Sequence, residues 1–280
     1  MSTIAVLGMG LLGRGFAENR LKKGHPVRVW NRTASKTAPV VEAGGIAGTD
    51  PADTVRGAER VHLVLTDDAV VDDVIAKLEP GLGEGVFILD HSTNLPEGVR
   101  ERFARLREKG IRYLHAPVFM GPSNSRDATG LMLISGPQDE ITSLEPELST
   151  MTGKVLNLGD DPTRAATVKL TGNGLLVMLS GAMGDLFAIG KANGMSPDEV
   201  MALFETFSPT PVGMGRRVLA AGTRPPSFEL TMGRKDVRLM IEAAGANNLL
   251  LLPAIAAKMD ELIAAGKGGE DFGIFAKPDA

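Results

Sequence analysis

Three glycines, Gly8, Gly10 and Gly13, form the pattern G-x-G-x-x-G directly after a short apolar run. In such a pattern the first glycine permits a tight turn, the second lets the backbone approach a pyrophosphate, and the third lets a helix pack against a strand. A helix that begins here offers N–H groups and a positive dipole end to phosphates. We therefore predict a dinucleotide-binding loop, with a glycine-rich turn that binds nothing as the alternative. Its residues are Gly8, Met9, Gly10, Leu11, Leu12 and Gly13.

The end of the second apolar run indicates which nicotinamide cofactor fits. NAD-binding sites place Asp or Glu there to bind the ribose 2′-hydroxyl. This sequence has Asn31, Arg32 and Thr33, with Lys36 close behind and no carboxylate. Because arginine binds phosphate through paired donors, these residues predict a preference for NADP(H) over NAD, with a solvated basic turn as the alternative.

Lys169 and Asn173 lie four residues apart in an apolar stretch, which puts both on one face of a helix. A lysine in a cleft can donate a proton to a carbonyl oxygen that is being reduced, and can remove the alcohol proton in the reverse direction. From the spacing alone, an exposed lysine and an amide that bonds a neighbouring helix are the better interpretation.

The elements that would position these residues alternate between strands and helices. We predict strands at 4–7, 27–30, 60–65, 86–90 and 113–116, and helices that include 10–23, 69–78 and 97–109. Strands separated by helices imply a parallel sheet covered on both faces, with right-handed connections. The first half therefore reads as an α/β, doubly wound parallel-sheet (Rossmann) domain.

The second half carries helix signals instead. Asp161-Pro162 is typical of a helix start, and Gly194 would end the long apolar helix near residue 192. Ser196 and Glu199 form a capping box for the next helix. Further helices are predicted at 235–244 and 250–265, with no strand after Leu158. We predict a dinucleotide-binding domain over 1–161 and an all-α substrate and oligomerisation domain over 162–280, joined by the long helix.

Composition excludes several classes of function. A net charge of −4 is too mild for a nucleic-acid-binding surface, and the absence of cysteine excludes disulfides and thiolate chemistry. The four histidines have no metal-ligand spacing, so we expect no metal. The apolar stretch 170–189 contains glycines, Asn173 and Asp185, and we read it as a buried core helix and not a membrane span. We expect a cytoplasmic protein that acts on a small molecule, and a homodimer or homotetramer that covers this helix.

Several motifs, taken in order, resemble the β-hydroxyacid dehydrogenases, the group of 3-hydroxyisobutyrate dehydrogenase, tartronate semialdehyde reductase and glyoxylate/succinic semialdehyde reductases. They are the Gly8–Gly13 loop, Asp90-His91-Ser92-Thr93, His115-Ala116-Pro117-Val118, the pair Lys169 and Asn173, and Phe228 with Lys235-Asp236.

The resemblance implies an enzyme that interconverts a 3-hydroxyacid and its semialdehyde or keto form by hydride transfer, and the residues after the second apolar run make NADP(H) its expected cofactor. It makes Lys169 the general acid/base and Asn173 its catalytic partner. It places Leu65, Thr66, Asp67, Thr93 and Lys235 at the cofactor. The residues that it implies at the substrate are Ser92, Thr93, Phe119, Met120, Gly121, Lys169, Asn173 and Asp236.

One departure from the family pattern concerns the substrate. Where the family usually reads D-A-P-V-S-G-G, residues 115–121 place Phe119 and Met120 at the Ser and first Gly positions. This predicts a larger or more apolar substrate, unless Phe119 only packs against a helix. Imine reductases share the architecture but usually have another residue at the position of Lys169. Reduction of imines or bulky ketones is therefore the alternative function, and a non-catalytic NADP-binding protein is a third.

Overall fold

The structure, a computed structural model, describes residues 2–208, 211–246 and 249–277. It divides into two compact units, one that ends at Lys169 and one that begins at Leu170. The predicted boundary between residues 161 and 162 lies just before the long helix, whereas the division of the structure lies within it.

The first unit contains a six-stranded parallel sheet with the strand order β3-β2-β1-β4-β5-β6. This order confirms the doubly wound fold, in which ligands bind beyond the carboxyl ends of the strands near the reversal of strand order. The prediction missed β3, which has two exposed residues and therefore no apolar pattern. The strands are β1 (Ile4–Leu7), β2 (Val27–Trp30), β3 (Ile46–Ala47), β4 (Arg60–Leu63), β5 (Phe87–Asp90) and β6 (Arg112–His115).

Helices and short 3-10 turns at Ala34–Thr37 and Glu79–Gly81 connect these strands. One face of the sheet buries Val61, Leu63 and residues of the helices that follow β4 and β5. The other face buries Phe16, Leu89 and their neighbours. The helices are α1 (Leu11–Lys22), α2 (Ala38–Glu42), α3 (Pro51–Val55), α4 (Asp68–Leu78), α5 (Pro96–Glu108), α6 (Pro122–Asp127) and α7 (Gln138–Leu148).

A second, three-stranded sheet was not predicted from the sequence. It consists of β7 (Val118–Phe119), β8 (Leu131–Ile134) and β9 (Lys154–Asn157), in that order. The pair β7–β8 is antiparallel and the pair β8–β9 is parallel. Its two-residue strand β7 carries Phe119, so the predicted substrate segment is part of regular structure.

The second unit is helical in its described residues, apart from one isolated bridge between Glu229 and Asp271. Gly194 has a φ of 78°, and Ser196 and Glu199 form the predicted capping box. A π turn over Ile263–Lys267 and a 3-10 segment over Phe272–Ala276 end the described chain. The helices are α8 (Arg164–Ala192), which begins in the first unit, α9 (Pro197–Phe207), α10 (Val212–Ala220), α11 (Leu230–Ala243) and α12 (Leu252–Leu262).

Burial along α8 differs from the prediction of a buried core helix. Val177, Met183 and Phe187 are buried, but Leu175 and Ile189 are 55% and 62% exposed. Only 28% of its most apolar window is buried, so the predicted burial holds for part of the helix. Among the described residues, α8 is also the one helix long and apolar enough to cross a membrane. A single helix of this kind is weak evidence of a membrane span, because core helices of soluble proteins can have the same length and composition.

Candidate functional site

The glycines after β1 have distinct structural roles. Gly8 has a φ of 104°, and a Cβ on it would overlap the carbonyl oxygen of Val64. A Cβ on Gly13 would overlap the carbonyl oxygen of Gly8, so α1 lies directly against the turn. A Cβ on Gly10 would have no heavy atom within 4 Å among the residues that the structure describes. The protein's own packing therefore requires the first and third glycines, whereas the second borders open space.

The N-terminus of α1 begins at this open space. Gly10 is its N-cap, and no described side chain caps the helix or adds an acidic group to its first turn. Its first N–H groups and the positive end of the helix dipole are therefore available to an anion. The loop fits the pyrophosphate of a nicotinamide dinucleotide, whose site at the carboxyl ends of β1 and β4 the fold also implies.

Asn31 links this loop to the end of β2. Its side-chain oxygen accepts a 2.9 Å hydrogen bond from the Met9 N–H, and its amide nitrogen donates to the Thr33 carbonyl at 3.0 Å. Asn31 thus holds the loop in place, and its direct contact with the cofactor stays a prediction. Arg32, Thr33 and Lys36 follow as exposed residues.

The predicted loops after β4 and β5 are bonded to each other. The Leu65 N–H donates to the Ser92 hydroxyl oxygen at 3.0 Å, and Ser92 is 3% exposed. Asp67 caps α4 by accepting from the Val70 N–H at 3.1 Å. The Ser92 hydroxyl thus accepts from a backbone N–H, and its contact with the substrate stays a prediction. Thr93 beside it is half-buried, and Thr66 is exposed.

A buried polar network lies under the turn of residues 90–93, which we call the DHST turn. The Asp90 carboxylate accepts from the Ser92 N–H at 2.9 Å, the Asn94 amide at 2.7 Å and the Tyr113 hydroxyl at 2.9 Å. Burial together with this carboxylate raises the pKa of Tyr113 well above its usual value, so its hydroxyl stays a donor. Arg102, fully buried, donates to the Tyr113 oxygen at 3.3 Å. Buried hydrogen bonds to Asp90 and Tyr113 therefore fix the conformation of the DHST turn.

Three histidines that the sequence showed only as scattered converge at the same strand ends. His62 Nδ1 lies 2.9 Å from His91 Nε2, and His91 Nδ1 lies 2.6 Å from the Ala116 carbonyl oxygen. His115 Nε2 lies 2.9 Å from the Ser92 carbonyl oxygen. Burial lowers the pKa of His91 to about 4 and that of His62 well below its usual range. The signal in the sequence was their position at the ends of three strands that the sheet brings side by side.

Lys169 is buried, with 9% of its surface exposed. Its ammonium donates to the Val118 carbonyl at 2.8 Å and lies 4.2 Å from the centre of the Phe119 ring. The interpretation of an exposed lysine is therefore wrong, and Phe119 contacts the predicted acid/base directly. Met120 follows half-buried, and the Gly121 N–H donates to the Asn124 side-chain oxygen at 2.9 Å where α6 begins.

The second unit brings together three other predicted residues. The Asn173 amide donates to the Asp236 carboxylate at 2.7 Å, and the Lys235 ammonium lies 2.6 Å from the other Asp236 oxygen. Asp236 is 2% exposed and Asn173 is 8% exposed. Asn173 thus makes the helix–helix amide bond that its spacing suggested. It shares α8 with Lys169, one helical turn away.

No metal-binding group of three His, Asp or Glu side chains occurs in the described part of the chain.

The structure brings the predicted site residues together in four groups. These are the phosphate loop with the end of β2, the DHST turn with residues 65–67, Lys169 with Val118 and Phe119, and Asn173 with Lys235 and Asp236.

Comparison with known families decides the identity of the first unit. Residues 3–159, more than half of the chain, match the model described as the NAD binding domain of 6-phosphogluconate dehydrogenase. The chain belongs to this family. Its first unit is therefore a nicotinamide-dinucleotide-binding domain, as the phosphate loop indicated.

Relatives of this family member confirm the resemblance to β-hydroxyacid dehydrogenases. The 3-sulfolactaldehyde reductase of Escherichia coli is 26% identical, over 97% of this chain and 94% of that protein. The 3-hydroxyisobutyrate dehydrogenase of Mycobacterium tuberculosis with L-serine has the same fold, with a TM-score of 0.84, 22% identity, and coverage of 99% and 98%. An imine reductase of Myxococcus stipitatus in complex with NADP+ shares the fold at a TM-score of 0.67, with 21% identity and 98% of each chain covered. The chain is an oxidoreductase of the hydroxyacid dehydrogenase and reductase group.

Proposed function

We propose that this protein is an NADP(H)-dependent oxidoreductase that interconverts a 3-hydroxyacid, or a related hydroxyacid, and its semialdehyde or keto form. The observation that carries the proposal is the buried ammonium of Lys169, held at 2.8 Å by the Val118 carbonyl. A lysine ammonium carries three N–H donors, and burial together with the bond to Val118 fixes where this ammonium lies. This suits a group that transfers a proton at one defined place.

In the proposed reaction, the bound nicotinamide supplies the hydride acceptor or donor. Lys169 Nζ gives its proton to the substrate oxygen during reduction and takes the alcohol proton during oxidation. The Val118 carbonyl fixes the direction of Nζ. Thr93 and Asn173 are proposed to orient the substrate, and Lys235 with the segment Phe119–Gly121 to bind it.

The preference for NADP(H) rests on the residues that follow β2. Arg32 and Lys36 are exposed, and Asn31 bonds the phosphate loop so that the chain after it begins beside that loop. Two cations there suit a 2′-phosphate, and no carboxylate lies among residues 31–37 to bind a 2′-hydroxyl.

The test is a panel of oxidations with NADP and NAD: 3-hydroxyisobutyrate, 3-hydroxypropionate, 4-hydroxybutyrate, serine and glycerate. Semialdehyde and cyclic imine reductions with both reduced cofactors complete the panel. Turnover of a hydroxyacid with NADP supports the proposal. Binding of NADPH with no turnover of any compound would instead support a non-catalytic NADP-binding protein.

Reduction of imines or bulky ketones is the second candidate, and the contact between Phe119 and Lys169 favours it. An aromatic ring beside the proton donor offers apolar surface to a substrate and no hydrogen-bond donor to a carboxylate. Reduction of an imine or bulky ketone, with every hydroxyacid and semialdehyde inert, would make this the function.

We also propose that a second copy of the chain covers the exposed apolar residues of α8, such as Leu175 and Ile189, in a homodimer or homotetramer. Light scattering at several protein concentrations tests this. A monomer at all concentrations contradicts it. The absence of a membrane or nucleic-acid partner and the cytoplasmic location stay predictions.

A further inference from the structure

Two of the buried histidines form reciprocal bonds between the loops that hold the predicted site. His91, in the DHST turn, reaches the carbonyl of the residue after His115. His115 reaches the carbonyl of Ser92, the residue after His91. The parallel pairing of Asp90 with His115 sets this arrangement, because it places the ends of β5 and β6 at the same level.

The direction of each bond follows from the acceptor. A carbonyl oxygen cannot donate, so His91 must carry its hydrogen on Nδ1 and His115 must carry its hydrogen on Nε2. A neutral His91 then accepts at Nε2, which makes His62 Nδ1 the donor of the 2.9 Å bond between the two rings. Burial of His62 and His91, at 0% and 3% exposure, favours these neutral forms.

The carbonyl that accepts from His91 lies two residues before the carbonyl that accepts from Lys169. Residues 116–119, which we call the lysine-holding segment, accept from His91 at their first carbonyl and from Lys169 at their third. The next side chain of the segment is the Phe119 ring that covers the ammonium. A shift of this segment therefore moves the Val118 carbonyl and the Phe119 ring relative to Nζ.

We propose that His91 and His115 are positioning residues, which fix the lysine-holding segment against the DHST turn and thereby set the position of the Lys169 ammonium. The consequence for turnover rests on the proposed function of Lys169 as the proton carrier. The consequence for the ammonium itself does not.

Paired amide substitutions separate this role from simple space filling. An asparagine amide lies near the Nδ1 position of histidine, and a glutamine amide reaches the Nε2 position. H91N and H115Q can therefore keep the two donors, whereas H91Q and H115N remove them with side chains of similar size and polarity. H25Q, at the half-buried histidine outside this network, is the control.

The first readout needs no substrate. The acylation rate of Lys169 by acetic anhydride is measured by mass spectrometry of its peptide in all five folded variants. We expect H91Q and H115N to react about tenfold faster than the wild type, the change expected when one buried hydrogen bond is lost. H91N, H115Q and H25Q should remain within about twofold of it on the same grounds. Equal rates in the matched variants would overturn the proposal.

The second readout is kcat on the compound that the panel identifies, with NADPH affinity measured separately. H91Q and H115N should lower kcat roughly 10- to 100-fold, because a small misplacement of a catalytic group has effects of that size. H91N and H115Q should recover most of that loss, with NADPH affinity little changed. If the wild type turns over nothing while acylation follows the expected pattern, the proposed function fails and the positioning role stands.

The wild-type protein gives a test that no misfolded variant can obscure. With four histidines in the chain, 15N–1H correlation spectra of the rings can be assigned one by one. We expect His91 protonated on Nδ1 and His115 protonated on Nε2 at pH 7.5. The opposite tautomer at either ring would overturn the proposal.

Discussion

The ammonium of Lys169 lies 4.2 Å from the centre of the Phe119 ring. A cation over an aromatic face gains about 0.5–2 kcal/mol, more when water is excluded. Since Val118, the preceding residue, accepts the hydrogen bond from the same ammonium, two successive residues of β7 restrict how a substrate can approach it.

Replacing Phe119 should change the choice of substrate more than the chemistry. F119S removes the ring and adds a hydroxyl, so we expect kcat/KM for small semialdehyde acids to rise relative to bulky ketones or imines by roughly 10-fold or more, the size of a hydrogen bond to a charged carboxylate. The measurement is the ratio of the two kcat/KM values. F119L, which keeps an apolar side chain, is the matched control, and an unchanged ratio in F119S would show that the ring does not select the substrate.

Removal of the Lys169 amine should stop proton transfer and spare cofactor binding. We expect K169A to lower kcat by roughly 10²- to 10⁴-fold, the usual contribution of general acid–base catalysis. NADPH affinity, followed by fluorescence titration, should stay near that of the wild type. K154A, at an exposed lysine of β9, is the control. Near-normal turnover in K169A would exclude lysine as the proton carrier.

Arg32 should discriminate between the two cofactors. R32A is expected to weaken NADPH binding by roughly 10- to 100-fold, since a charge-assisted bond to phosphate contributes about 1.5–3 kcal/mol. NADH binding should change little. Titration of both cofactors checks this, with R56A at an exposed arginine as the control. Equal losses for NADPH and NADH would refute a contact specific to the 2′-phosphate.

Asp236 should be more important for stability than an exposed carboxylate on a similar ion pair. D236A removes the carboxylate that accepts from the Lys235 ammonium, whose side chain is 14% exposed, and from the buried Asn173 amide. We expect the free energy of unfolding to fall by about 3–5 kcal/mol, as when one partner of a buried pair is removed. D260A breaks the more exposed pair with Arg234, and about 1 kcal/mol or less is expected there. Urea unfolding compares the two, and similar losses would contradict the burial argument.

Stability should decline in mildly acidic solution because of the buried histidines. Burial lowers the pKa of His91 from 6.5 to about 4, and the pKa values of His62 and His115 are lowered too. Below about pH 6.5 the unfolded chain therefore binds protons that the folded chain does not. The free energy of unfolding thus decreases as the pH is lowered. Each histidine contributes at most about 1.4 kcal/mol per pH unit.

Urea unfolding at steps between pH 7 and pH 5 measures this slope above the range in which ordinary carboxylates titrate. H91N, which has no imidazole to titrate at this position, should give a shallower slope than the wild type. A flat profile in the wild type would show that these rings take up protons as readily in the folded protein as in the unfolded chain, and would contradict the prediction.

The alternating part of the fold was predictable because each element carries its own local pattern. The Gly8–Gly13 loop, the four-residue apolar strands and the capping box at Ser196 each specify structure within a few residues. The second sheet lacks such a signal, since β7 has two residues and its pairing with Leu131 and Met132 depends on distant parts of the chain.

The candidate site was predictable in its residues more than in its contacts. From its spacing alone, Lys169 was interpreted as exposed, because periodicity cannot reveal that the Val118 carbonyl and the Phe119 ring contact its ammonium. The histidine bonds were missed for the same reason: His62, His91 and His115 are far apart in sequence and meet only through the register of β4, β5 and β6. The prediction that α8 is buried was wrong for part of the helix, because composition does not tell which faces of an apolar helix pack against other residues.

The single helix that carries Lys169 and Asn173 has a consequence for how this chain can vary. Each residue added to an α-helix turns everything after it by about 100°. One alanine inserted between the two side chains would thus change their angular phase, although each could keep its identity and its neighbours in sequence. Substitutions between Lys169 and Asn173 keep this angular phase, whereas insertions and deletions change it. An engineered or natural variant of the chain can therefore gain or lose residues more easily in its loops than in this turn of the helix.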